Sequence, residues 1–232
     1  LAAERLVRQY FGPLARTGQA AARPVYPIPA HTETRYAVAV DKEAQGSSVT
    51  VIQKRPRELL RTVGDYRQAL LRSLVHQMLN ARLAELARAA DAPFLGASTG
   101  EGSLGQTLDA FTMTARVNEG GIEGGLTALV REIKRAREFG FGQGELDRVK
   151  KEMLASYERS FAERDKAESD GFVSELLNLF LRGEPAPGIE AEVALARQLV
   201  PTITLADASA LVRTLVPETN RVVLTVAPEK AG

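Results

Sequence analysis

RYAVAVDKEAQGSSVTVIQKRP, residues 35–56, holds two runs of period two on either side of a turn. Tyr36, Val38 and Val40 fall on one face, with Arg35, Ala37, Ala39 and Asp41 on the other, the alternation of a strand. Ala44-Gln45-Gly46-Ser47 supplies turn residues, and Val49, Thr50, Val51 and Ile52 read as a second strand, antiparallel to the first. The period then changes. From about Asp65 to Ala90, Tyr66, Leu70, Leu74 and Met78 recur every four residues, with Leu71, Val75, Leu79, Leu83 and Leu86 beside them. So broad an apolar stripe predicts a long helix buried against a sheet.

Further along, Phe94-Leu95-Gly96-Ala97 reads as a short strand. After a glycine-rich turn, Phe111, Met113, Ala115 and Val117 alternate with polar residues and complete a hairpin. Helices follow through Ile122–Ile133, closed by Gly140 at a left-handed position, then through Glu145–Phe161 and Phe172–Phe180. Two shorter helices run over Val193–Leu199 and Leu205–Val216, the second opened by Thr204 with Asp207 three residues on. Val222, Val223, Leu224 and Val226 make a last strand. This order predicts an α+β, two-layer fold, a mostly antiparallel sheet covered by helices. Upstream, Leu6, Val7 and Tyr10 give a helix over 1–11 stopped by Gly12-Pro13, and an Ala/Gly/Pro-rich linker follows. The expected divisions are a helix in 1–14, a linker over 15–32 and a domain over 33–232. Leu1 already lies in a helical pattern, from which a piece of a longer protein is expected.

With 232 residues, 44% of them apolar, the chain is long enough for a sizeable core. A net charge of +1 gives no electrostatic reason to expect nucleic acid as a partner. No stretch approaches the length of a membrane span. The lack of cysteine excludes disulfides, thiolate metal sites and a cysteine nucleophile.

Catalytic zinc usually takes three protein ligands, and the chain has two histidines, His31 and His76. His31 lies in the proline-rich segment and reads as a solvated side chain. His76 reads as an ordinary helical histidine, since position 80, where an i,i+4 ligand would stand, is Asn. No G-x-S-x-G elbow is present, and Ser47, Ser48, Ser98 and Ser103 read as turn residues. Gly100-Glu101-Gly102-Ser103-Leu104-Gly105 matches G-x-G-x-x-G but leads into a strand rather than a helix, so it reads as a flexible hairpin connection. The mixed charges of Glu158–Asp170 read as a solvated helical face.

Several segments resemble the second, non-catalytic half-domain of the pitrilysin (insulinase) family of zinc metallopeptidases. GLTALVREIKRAREFGFGQGELDRVKKEML (125–154) resembles the family's helix, glycine break and Glu-Leu-led helix. RYAVAVDKEAQGSSVTVIQKRP (35–56) resembles its opening strands, MLNARLAEL (78–86) a helix with an Arg-Leu pair, and NRVVLTVAP (220–228) its closing strand. AERLVRQYFGPL (3–14) resembles the tail helix of a preceding half-domain. The resemblance implies a zinc-bearing domain with an inverted H-x-x-E-H helix elsewhere in a parent chain, as partner of this one. It also implies peptide as the parent's substrate, no zinc in this segment, and a periplasmic location. The helix of His76 resembles the counterpart of the zinc helix without its ligands. Family members hold substrate with an Arg and a following Tyr. Arg88 stands at the Arg, either as a substrate contact or as an interdomain or surface arginine, while Leu95, seven residues on, replaces the phenol. The alternative implied is a structural subunit like the peptidase-like core proteins of respiratory complexes.

Overall fold

The computed structural model describes residues 2–14, 18 and 24–229. Its strands are β1 (Arg35–Asp41), β2 (Ser47–Pro56), β3 (Gly96–Ser103), β4 (Leu108–Val117) and β5 (Arg221–Pro228). They form one sheet in the order β1-β5-β2-β4-β3, in which only the β1–β5 pair is parallel. The helices are α1 (Ala2–Phe11), α2 (Val63–Leu86), α3 (Ile122–Phe139), α4 (Gln143–Ala162), α5 (Ser169–Arg182), α6 (Ile189–Leu199) and α7 (Leu205–Thr214). The fold is the α+β arrangement expected of the sequence, a mostly antiparallel sheet packed by helices.

Alternation in β2 and β4 decides which face is buried. Val49 and Val51 stand opposite Ala115 and Met113, and all four are buried against the helices. Across them α2 presents Leu70, Leu74, Val75, Met78 and Leu79. Its start is fixed by a reciprocal cap, in which Thr62 Oγ1 accepts from Asp65 N–H and the Asp65 carboxylate accepts from Thr62 N–H. The same device opens α7 at Thr204 and Asp207. Helix α3 lies close on the sheet through Gly125, where a Cβ would come within 2.5 Å of Val117 Cγ1.

Four local expectations are corrected. β1 and β2 run antiparallel as expected but are not neighbours, because β5 lies between them, parallel to β1 and antiparallel to β2. The turn at 44–47 fixes a chain reversal but not which strand fills the gap, and the nearly continuous apolar run of β5 suits an interior place. Second, the strand read at Phe94–Ala97 runs instead over Gly96–Ser103, so Gly100, Glu101 and Gly102 are strand residues rather than a hairpin connection. Third, the charged run of Glu158–Asp170 is not one helix: α4 ends at Ala162, a 3₁₀ turn spans Arg164–Lys166, and α5 begins at Ser169. Fourth, Gly140 does close α3 with a positive φ of 69°, but its ψ of −149° is not the left-handed helical value.

The apolar residues of α1 (Leu6, Val7, Tyr10, Phe11) and of α5 (Phe172, Leu176, Leu177, Phe180) are exposed. The linker expected over 15–32 falls partly on residues 15–17 and 19–23, outside the described residues.

Candidate functional site

The sequence singles out His76, and α2 presents it toward β3 at the rim of the core. Its ring lies 5.2 Å from that of Phe111, between centroids. His76 Nδ1 and Thr99 Oγ1 are 2.7 Å apart. One turn on, Asn80 clamps the same strand residue: its Oδ1 accepts from Thr99 N–H at 2.6 Å and from the Thr99 hydroxyl at 3.1 Å, and its Nδ2 donates to Thr99 O. The Thr99 hydroxyl thus lies between His76 Nδ1 and Asn80 Oδ1, within hydrogen-bond reach of both. The other ring nitrogen, Nε2, faces Glu101 Oε1 at 3.4 Å.

Around Glu101 lies a charged cleft of about 550 Å³ between β2, β3, α2 and the segment after α5. Arg55 meets Glu101 at 2.8 Å, and Arg72 bridges Glu101 at 3.3 Å and Glu58 at 2.6 Å. Arg57 pairs with Glu184 at 3.0 Å on its margin. Burial raises the Glu101 carboxyl, but His76 and Arg55 outweigh it and hold the group below its ordinary value. Glu58, Glu101 and Glu184 are thus each matched by a guanidinium, while Asp109 accepts from Glu58 N–H.

This arrangement does not fit a zinc ion. His76 spends Nδ1 on Thr99, position 80 is an amide spent on a strand, and Glu101 is held by two arginines. Among the described residues no group of three or more His, Cys, Asp or Glu side chains is placed to hold a metal. Of the two serines in the cleft, the Ser103 hydroxyl donates to Gly105 O and the Ser73 hydroxyl accepts from Gln77 Nε2.

His31 departs from its reading as a solvated side chain. It is buried at 7% exposure, because the segment ahead of β1 docks on the turn before β5. There His31 N–H donates to Asn220 Oδ1, Asn220 N–H donates to His31 O, and Asn220 takes a positive φ of 57°. Arg88 is exposed just beyond the end of α2, and its guanidinium has no hydrogen bond or ion pair with the described residues. Leu86 is ten residues past His76, about 15 Å along the helix, so Arg88 is not brought into the charged cleft. Beyond it Phe94 is buried and Leu95 exposed.

Sequence reasoning missed the most buried charge cluster. Arg82 donates from Nε and Nη2 to both oxygens of Glu145, at 2.7 and 2.8 Å. It also donates from Nη2 to Gly140 O at 3.0 Å and from Nη1 to Glu132 at 3.4 Å, while its guanidinium covers the Phe141 ring. Glu132 is only 5% exposed. The Glu145 hydrogen bonds, against the opposing effect of burial, raise the Arg82 pKa. The same hydrogen bonds lower Glu145. The signal was there: Arg82 falls four residues after Met78, and Glu132 three after Leu129, both on buried stripes.

In this one-sided α+β sheet the long covering helix spends its histidine and its i+4 side chain on a neighbouring strand. No family model matches the chain. It is 30% identical over 227 residues to a protein of Arabidopsis thaliana named "Zinc protease PQQL-like", covering 98% of this chain and 21% of that protein. The periplasmic protease PqqL of Escherichia coli superposes with a TM-score of 0.86 at 18% identity, over 97% of this chain and 25% of that one. A peptidase M16 inactive domain from Pseudomonas fluorescens superposes with a TM-score of 0.68 at 20% identity, over 99% of this chain and 51% of that one. Its fold is that of pitrilysin-type (M16) peptidase halves, an inactive domain among them, and its sequence is similar to one part of a protein named as a zinc protease. It spans about a fifth of the length of the plant relative.

Proposed function

We propose that this chain is the non-catalytic domain of a zinc metalloendopeptidase, packing against a zinc-bearing domain of the same protein and walling the substrate chamber. The observation that carries this reading is the use of α2. The helix that resembles the family's zinc helix here fastens Thr99 through His76 and Asn80 instead of exposing ligands. Its likeness to part of a zinc protease, about a fifth of that protein's length, supports a longer parent in which another domain holds the metal. In this reading residues 1–14 are the tail helix of the preceding domain and 15–32 the linker. The exposed apolar face of α1 is part of what meets that domain. The likeness to periplasmic PqqL supports a periplasmic location.

Arg88, with its guanidinium exposed and uncommitted, is the residue of this domain assigned to contact peptide. The test is made in the longer protein. His76→Ala leaves zinc content and kcat unchanged, whereas Arg88→Ala raises KM for a peptide substrate several-fold at unchanged kcat, the signature of uniform binding. Loss of zinc on His76→Ala contradicts the non-catalytic reading. An unchanged KM in Arg88→Ala removes Arg88 from the substrate path and leaves the rest standing.

A further inference from the structure

Strand β1 is the sheet's outermost strand, and it lacks the usual protections of an edge. Sheet edges are ordinarily blunted by lysine, proline, bulges or a covering element. Between Arg35 and Asp41, β1 has only Tyr36, Ala37, Val38, Ala39 and Val40. Tyr36, Val38 and Val40 lie on the helix-packed side of the sheet, in register with Val223, Thr225 and Ala227 of β5, yet they are 75%, 77% and 59% exposed. The helix layer stops short of this strand. The opposite edge, β3, is rich in glycine and carries Glu101, so it offers no comparable apolar ledge.

Backbone geometry shows what the edge can accept. Asp41 O accepts from Glu229 N–H, which turns the peptide groups of Asp41 toward β5 and, by the alternation of a strand, those of Ala39, Ala37 and Arg35 as well. The N–H and C=O groups of Tyr36, Val38 and Val40 therefore point away from β5, with no partner among the described residues.

The sequence of β1 is complementary to itself when reversed. Placed antiparallel about Val38, two copies set Arg35 opposite Asp41, Tyr36 opposite Val40, Ala37 opposite Ala39, and Val38 opposite its twin. In that register the outward-turned residues, Tyr36, Val38 and Val40, form the hydrogen-bonded pairs, and Arg35 with Asp41 forms a close non-hydrogen-bonded pair at each end. The twofold axis of such a pair is perpendicular to the sheet. Both helix layers thus stay on one side, and the two apolar ledges become neighbours. The existing Arg35–Glu33 contact is solvent-exposed and gives way at little cost.

We propose that β1 is the docking edge for a second copy of this chain, joining two five-stranded sheets into one through antiparallel β1–β1 pairing centred on Val38. This does not rest on the peptidase reading. The choice of a second copy over another protein follows from the charge match, Arg35 against Asp41 at both ends of the same segment.

The test is sedimentation velocity of the 232-residue chain over a wide concentration range, with three variants. Val38→Pro removes only an outward-turned N–H, a place where an edge strand tolerates proline. The unchanged sequence shows a monomer–dimer equilibrium, and Val38→Pro sediments as a monomer with unchanged far-UV circular dichroism and urea midpoint. Arg35→Asp puts two carboxylates opposite each other at both ends and weakens association by roughly tenfold or more. Combining it with Asp41→Arg exchanges the charges and restores the dimer. A monomer at every concentration overturns the proposal. So does association that neither Val38→Pro nor Arg35→Asp weakens, or that the double exchange fails to recover.

Discussion

Arg82→Met loses about 3–5 kcal/mol of stability in urea unfolding, because it leaves Glu132 and Glu145 without the cation they were buried with. Methionine keeps most of the stem that packs beside Phe141, so the loss reports the guanidinium and not a cavity. Glu132 retains Arg135, a mostly exposed partner at 3.1 Å, and cannot be rehydrated without opening the packing of α2 on α3. Gly140 O also loses its donor.

The pH dependence gives an independent reading of the same cluster. Glu145 is lowered first by its hydrogen bonds to Arg82, with burial opposing and the Gly142 N–H adding to the effect. A carboxyl whose folded pKa is depressed binds fewer protons folded than unfolded near its ordinary value. Its stabilisation is complete above about pH 4.3, the unfolded value, and is lost as pH falls through the folded one. Between about pH 5 and 3 the unchanged chain therefore loses more stability than Arg82→Met, in which that coupling is absent. Parallel acid limbs for the two proteins would show that Arg82 does not set the Glu145 titration.

Asn80→Leu has the second large effect, a loss of about 2–4 kcal/mol measured in the same way. Leucine has the same branching and number of side-chain heavy atoms and is a better helix former, so a purely local view of α2 predicts little change or a gain. Instead Thr99, 8% exposed, is left with an N–H, a C=O and a hydroxyl deprived of their Asn80 partners, each buried polar group costing about 1–3 kcal/mol. Asn80→Asp separates the contributions, since it keeps the acceptor for Thr99 N–H and loses the donor to Thr99 O. It is expected to fall between the two. A stability for Asn80→Leu equal to that of the unchanged chain would mean that the clamp on Thr99 contributes nothing.

Much of the fold is written in periods. The four-residue recurrence of Leu70, Leu74 and Met78, and the alternation of Val49 with Val51 and of Phe111 with Met113, each reflect one buried face, and those faces meet in the core. Strand order is not written in that way. β5 enters between β1 and β2 from a point more than 160 residues further along the chain, and no local pattern carries that information. His31 was misread for the same reason. Its burial comes from Asn220, 189 residues away, at a turn whose positive φ is invisible in sequence. Glu101 was hidden by the glycines around it, which suggest a loop, although Gly100 and Gly102 lie in a strand that brings the carboxylate to Arg55 and Arg72. Arg82 and Glu132 were legible in principle, as charges on apolar stripes, but only pairing across two helices gives such a charge its meaning.

Zinc content decides between a domain that supports catalysis and one that performs it. The purified 232-residue chain, incubated with excess zinc, passed through a desalting column and measured by mass spectrometry, is expected to retain far less than one ion per chain and to cleave no peptide. One retained zinc per chain, lost on His76→Ala and accompanied by chelator-sensitive peptide hydrolysis, would contradict the assignment of this half-domain as non-catalytic.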